Sequence, residues 1–157
     1  MGHTCKGKQW HFGAKAHIGA DADSGLVHSF ELTAANVADV TQTVELLHGE
    51  EKRVHADAGY TGVQKREEAK DLEVDWYIAE KRGKVLAMEE GPLKELTAQA
   101  ERLKAKIRAR VEHPFHIVKN LFRQRKLRYR GLAKNGTQWR VLFALANLVI
   151  AKKALLA

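Results

Sequence analysis

The stretch KIRARVEHPFHIVKNLF, residues 106–122, sets one carboxylate among arginines, histidines and lysines. At about 100° per residue, Arg108, Glu112, His116 and Lys119 fall within about 80° of one another on a helical wheel, a single polar stripe. Ile107, Val111, Phe115, Val118 and Phe122 form the apolar stripe beside it, which puts Glu112 near the seam between helix and core. Two kinds of chemistry suit such a residue. Arg108 and Glu112 can form a plain i,i+4 ion pair worth a few tenths of a kcal/mol. Alternatively, the carboxylate holds a hard cation while the flanking bases hold phosphates. Pro114 lacks a backbone donor and is expected to kink the helix just past Glu112.

Other reactive groups carry less. His3, Cys5, His11 and His17 match no zinc-ligand spacing. Cys5 has no base positioned to make it a nucleophile, and a single cysteine excludes an intramolecular disulfide framework and suits a reducing compartment.

Charge narrows the partner class. The 157 residues carry a net charge of +8. Residues 113–157 hold ten lysines and arginines and no acidic residue, leaving 17 basic against 19 acidic side chains before them. All of the excess positive charge therefore sits in the last third, as expected of a surface that meets a polyanion, most simply nucleic acid. In KNLFRQRKLRYRGLAKNG, residues 119–136, the cations alternate with Phe122 and Tyr129, a composition suited to tracking a phosphate backbone. A solubilising surface is the blander reading. An anionic membrane is disfavoured because the cations do not follow one face of a helix. The opening residues have no apolar run of a signal peptide, and VLFALANLVIA, residues 141–151, is too short to span a bilayer; it is expected to be a buried terminal helix.

The elements that must position these groups follow from periodicity. WHFGAKAHIG alternates with Trp10, Phe12, Ala14, Ala16 and Ile18 on one side and His11, Lys15 and His17 on the other. ADADSG is a turn and LVHSFELT a second strand, together a hairpin. Asn36 is placed to cap a helix in which Val37, Val40, Val44 and Leu47 recur, ending at Gly49. KRVHADAGY reads as a buried strand closed by a tight turn, QKREEAKDL as a helix, and VDWYIAE as a strand. Residues 81–92 form a connector, followed by a long helix from about Leu93, a basic irregular segment and a last helix. Strands and helices in this order predict an α/β domain with a mixed sheet.

The spacing Arg108-x3-Glu112-x6-Lys119 resembles the Tyr-x2-Arg-x3-Glu-x6-Lys signature of the DDE transposases of bacterial insertion sequences. HADAGY (residues 55–60) resembles the block holding that family's second catalytic aspartate. The hairpin and following helix, and NGTQWRVLFALANL near the end, resemble further blocks of the family in the same order. The resemblance implies a ribonuclease H-like mixed sheet flanked by helices and a two-metal mechanism of DNA cleavage and strand transfer using Mg²⁺ or Mn²⁺. Asp57 and Glu112 are then the catalytic metal ligands, and Arg108 and Lys119 hold transposon-end phosphates. Arg123, Arg125, Lys126, Arg128 and Arg130 extend the DNA-binding surface. The implied setting is a bacterial cytoplasm, close to the nucleoid.

Two departures stand out. Ala105 replaces the signature's tyrosine. The family's first catalytic aspartate lies on a strand upstream of the block beginning near Gly7, and Asp21, Asp23 and Asp39 lie in turn or helix-start contexts that suit capping. In the ribonuclease H-like strand order 3-2-1-4-5 that strand is central. The expectation is therefore a single partial catalytic domain over residues 1–157, N-terminally truncated, lacking the central first strand and a separate DNA-recognition domain. Such a chain is inactive alone and open to association with itself or with a full-length transposase. The alternative is a non-catalytic DNA-binding fragment that inhibits or regulates transposition.

Overall fold

A computed structural model describes residues 1–156, with the side chains of residues 6, 153 and 154 left aside. Strand β1 (Gly2–Lys6) turns at Gly7 into β2 (Gln9–Ala20), which pairs antiparallel with β3 (Val27–Ala34). The hairpin follows the predicted turn: Asp21 Oδ1 accepts from the backbone N–H groups of Asp23 and Ser24 and from the Ser24 hydroxyl. Strand β1 was not expected from the sequence. It lies on the same edge of β2 as β3, end to end with it, because a Cβ on Gly2 would sit 3.3 Å from that of Ala34 and Ala35 N–H donates to Gly13 C=O. The opposite edge of β2 carries no strand among the described residues.

The second sheet is a parallel pair, β4 (Arg53–Ala56) and β5 (Asp75–Ile78). No described strand joins it to the first sheet. With only one neighbour each, β4 and β5 are half-buried rather than buried.

Two predicted helices are shorter and tighter. Residues 36–49 form a 3₁₀ turn (Asp39–Gln42) and one α-turn, α1 (Thr43–Leu46), and Asn36 caps neither. Residues 64–72 form 3₁₀ turns at Val63–Lys65 and Glu67–Ala69. The connector holds a short helix, α2 (Arg82–Leu86). The long helix α3 (Pro92–His116) starts on a proline, where the missing donor costs nothing, and runs through the buried Pro114. The irregularity follows Pro114: Ile117–Leu121 is a π-helical turn, with Phe122 N–H donating to Ile117 C=O.

Helix α4 (Leu132–Leu155) buries only one face, Asn135, Trp139, Phe143 and Ala146 at spacings of four, four and three. Val141, Leu145 and Leu148 are exposed, so the terminal helix is half-buried, not buried as its composition suggested. Trp139, Phe143 and Ala146 pack with Phe30, Ile117 and Val118, and Ala16, Ile18 and Leu32 border that core. The alternation of β2 is thus correct around Ala16 and Ile18. It fails at its start, where Trp10 is 73% and Phe12 63% exposed.

Candidate functional site

Asp57 directly follows β4, at the carboxyl end of a parallel strand, where open α/β sheets present ligand-binding groups. It caps the 3₁₀ turn Ala58–Tyr60, its Oδ1 accepting from Gly59 N–H at 2.7 Å. Its other oxygen has no protein donor among the described residues, and the side chain is exposed. Gly59 keeps the turn open, because a Cβ there would stand 2.9 Å from Asp57 Oδ1 and 3.7 Å from Asp39 Oδ2. Asp39 therefore flanks the same turn as Asp57, which its place in a helix's first turn did not reveal. It is held there by Lys15 Nζ and His17 Nδ1, each 3.3 Å from Oδ1. The Tyr60 hydroxyl beside them is pushed up to about 12 by burial and by the charges of Asp39 and Asp57, so it stays a neutral donor.

His17 belongs to this support and corrects the sequence reading of an outward polar face. It is 3% exposed, with Nε2 2.8 Å from the Thr33 hydroxyl. Burial depresses its pKa below 6.5 and outweighs the opposing pull of Asp39. His28 and His55 are shifted the same way, each chiefly by burial. Because the unfolded chain binds these protons more readily, the stabilisation is present above about pH 6.5 and drains away as pH falls toward the depressed native values. The denaturation midpoint is expected to drop between pH 7 and 5, and to drop less in His17→Gln. Urea titrations across that range measure both; an equal drop in the variant removes His17 from the account.

Helix α3 carries the second group of residues past the strand ends. Lys104 Nζ donates to Ile78 C=O at 2.8 Å and to Glu101 Oε1 at 2.7 Å, while Glu101 Oε2 accepts from Glu80 N–H. This fixes α3 against the end of β5. Further on, Arg110 donates to Ala22 C=O at 2.6 Å, tying α3 to the β2–β3 turn. Arg108 lies between these anchors, partly buried, and its Nε is buried without a partner. Glu112, one turn later, is exposed rather than at the core margin, because the core face of α3 is narrow at this point. The i,i+4 pair of Arg108 with Glu112 does not form, and Glu112 enters no ion pair among the described residues. An unpaired carboxylate beside an orphaned guanidinium nitrogen is the opposite of a self-satisfied surface pair.

The π-turn interrupts the polar stripe before Lys119, whose ammonium lies 5.3 Å from the centre of the Phe115 ring. Its carbonyl accepts from Arg125 Nε, and Arg125 also donates to Asn120 Oδ1 at 2.9 Å. Arg123, Arg125, Lys126, Arg128 and Arg130 are all exposed and form no ion pair among the described residues. Their segment is nevertheless fixed. The buried Asn135 accepts from the N–H groups of Arg128 and Tyr129 and donates to the carbonyls of Tyr129 and Gly131, and the buried Gln124 donates to Lys126 C=O. Nothing in the sequence pattern singled out Asn135 or Gln124; a polar residue on the apolar face of a terminal helix was the available signal.

Residues 2–148 match the family described as Transposase DDE domain. The chain belongs to that family. No solved structure matches it. Membership carries a DNA substrate and, for the family in general, divalent metal ions. The donor types of this transposase domain suit such ions, since Asp57 and Glu112 offer unpaired carboxylate oxygens. Among the described residues neither Asp57 nor Glu112 belongs to a group of three ligand side chains within 4.8 Å. Among the described residues no helix is long and apolar enough to cross a membrane.

Proposed function

We propose that this transposase domain holds transposon DNA on the surface formed by residues 119–130. Asp57 and Glu112 then contribute two carboxylates to a divalent-cation site at the end of β4, with Mg²⁺ or Mn²⁺ as the ion. In the family's chemistry such ions activate the attacking oxygen and stabilise the leaving one. The chain's own residues orient the DNA: Arg108 offers a bidentate fork to a phosphate, and Lys119 a point charge. The observation that supports this reading best is the buried, unpartnered Nε of Arg108 one turn from the unpaired Glu112. A cation satisfies the second, and the guanidinium reaches a phosphate once the Arg108 side chain swings outward.

Residues 1–157 by themselves are inactive in this reading. Two carboxylates do not complete the cage, and among the described residues no strand pairs with the other edge of β2. Incubation with terminal inverted-repeat DNA and Mg²⁺ or Mn²⁺ is expected to give binding without nicking. Robust metal-dependent nicking that disappears in Asp57→Ala overturns the inactivity.

The open β2 edge and the incomplete carboxylate set also favour a second reading, a non-catalytic segment that occupies DNA ends and restrains the complete enzyme. Binding that is steeply salt-dependent but indifferent to divalent ions supports it. Strengthening of binding by Mn²⁺, lost in Glu112→Gln, supports the first.

A further inference from the structure

A second group of ligand-type side chains lies away from Asp57 and Glu112. His28, His48 and Glu51 bring one ligand atom each within 4.8 Å of one another, the only such group of three among the described residues. Its construction is local and specific. The β2–β3 register slips between Gly19 and Ala20, pairing Gly19 with Ser29 and Ala20 with Val27, so His28 is the extra residue of a bulge. Strict alternation would send His28 to the same side as the buried Phe30. The bulge turns it outward, the usual effect of such a feature. The ring then lies over Gly19, where a Cβ would stand 2.7 Å from His28 Cε1. From the other side, the loop after α1 brings His48, whose ring meets His28 edge-on with centroids 4.8 Å apart.

Glu51 is oriented before any ligand arrives. Its two oxygens accept from the backbone N–H groups of His48 and Gly49, both at 2.8 Å, and its side chain is only 13% exposed. Oε1 lies 3.4 Å from His48 Nε2. His28 Nδ1 is engaged with the Ser29 hydroxyl at 2.9 Å, leaving Nε2 open. His48 Nδ1 has only a long contact, 3.4 Å, with Glu50 N–H, so the tautomer that frees Nε2 gives up little.

We propose that His28, His48 and Glu51 bind a transition-metal dication of the zinc class. Two imidazoles and a carboxylate select such an ion over Mg²⁺, which prefers oxygen ligands. Bonds of about 2.0–2.2 Å require the three side chains to close by about 1 Å, which two exposed rings can do. The metal staples β3 to the loop that leads into β4, and so braces the strand that ends at Asp57. This site is independent of the cation site at Asp57 and Glu112.

Metal-free protein comprising residues 1–157, titrated with Co²⁺ and then Zn²⁺, tests the assignment. One equivalent of Co²⁺ is expected to produce a visible d–d band that Zn²⁺ displaces and excess Mg²⁺ does not, together with a higher thermal midpoint. His28→Gln, His48→Gln and Glu51→Gln should each weaken Co²⁺ binding by at least about tenfold. The double variant His113→Gln/His116→Gln, which removes the other adjacent imidazole pair, should not. In the unsubstituted protein, imidazole ¹⁵N resonances of His28 and His48 should move on Zn²⁺ addition, a readout independent of how the variants fold. Absence of a band, a band that survives loss of His28 and His48, or Zn²⁺ shifts confined to other histidines overturns the proposal.

Discussion

Phe143→Ala is expected to lower the unfolding free energy by about 3–5 kcal/mol, the usual cost of deleting a buried phenyl ring and leaving a cavity. Phe143 is 2% exposed and stands where three elements meet. Its ring lies 5.3 Å from Phe30 on β3, 5.2 Å edge-on from Phe115 on α3, and 5.9 Å from Trp139 one turn back on α4. No neighbour can relax into the space without releasing another contact. Domains of this size are stable by about 5–15 kcal/mol, so the loss is a large part of the total. The exposed Leu148 of the same helix is the control: Leu148→Ala should change stability by less than about 0.5 kcal/mol. Urea denaturation of both variants measures the contrast. A loss below about 1 kcal/mol at Phe143 would mean that α4 does not seal the core.

Why that core was partly legible, and its surroundings less so, follows from particular residues. The hairpin, α3 and α4 each carry apolar residues that tertiary packing rewards, so these elements are legible in the sequence, although α4 buries one face only and the start of β2 is exposed. Residues 36–49 carry a helical repeat too, but the Thr41 and Thr43 hydroxyls donate to Ala38 and Val40 carbonyls. Those bonds favour a tight turn over a continued ladder. Residues 64–72 have charge pairs such as Arg66 with Glu68 but only Ala69 buried, and without an apolar face a short helix gains nothing from packing. At the candidate site, resemblance to the family's motifs pointed to Asp57, Arg108 and Glu112. Spacing along one helix could not show that Asp39 shares the Asp57 turn, or that a π-turn separates Lys119 from the stripe. Nor could it show that His17 is buried, because the group that covers it comes from a different segment. The bulge that turns His28 toward His48 was equally hidden, since it depends on pairing register and not on composition.

On the proposed DNA-facing surface, removing cations and removing their support should have different signatures. Replacing Arg123, Lys126, Arg128 and Arg130 by alanine takes away four exposed cations with no ion-pair partner among the described residues. Arg125 is left in place because it also ties Lys119 to Asn120. For duplex DNA, each lost phosphate contact makes the log–log salt dependence shallower by about 0.9. The fourfold variant should therefore lose a slope of about 3–4 and bind on the order of 100-fold more weakly at low salt. Asn135→Ala changes no charge. It removes the buried side chain that makes four hydrogen bonds to residues 128–131, at a cost of about 1–3 kcal/mol of stability. DNA must then order that segment itself, so affinity should fall by about tenfold, through the lost preorganisation, while the salt slope keeps its original value. Fluorescence anisotropy across a salt series separates the two. An unchanged slope in the fourfold variant would remove the surface from the DNA interface. A reduced slope in Asn135→Ala would show that the asparagine sets which cations reach phosphate, rather than how rigidly they are held.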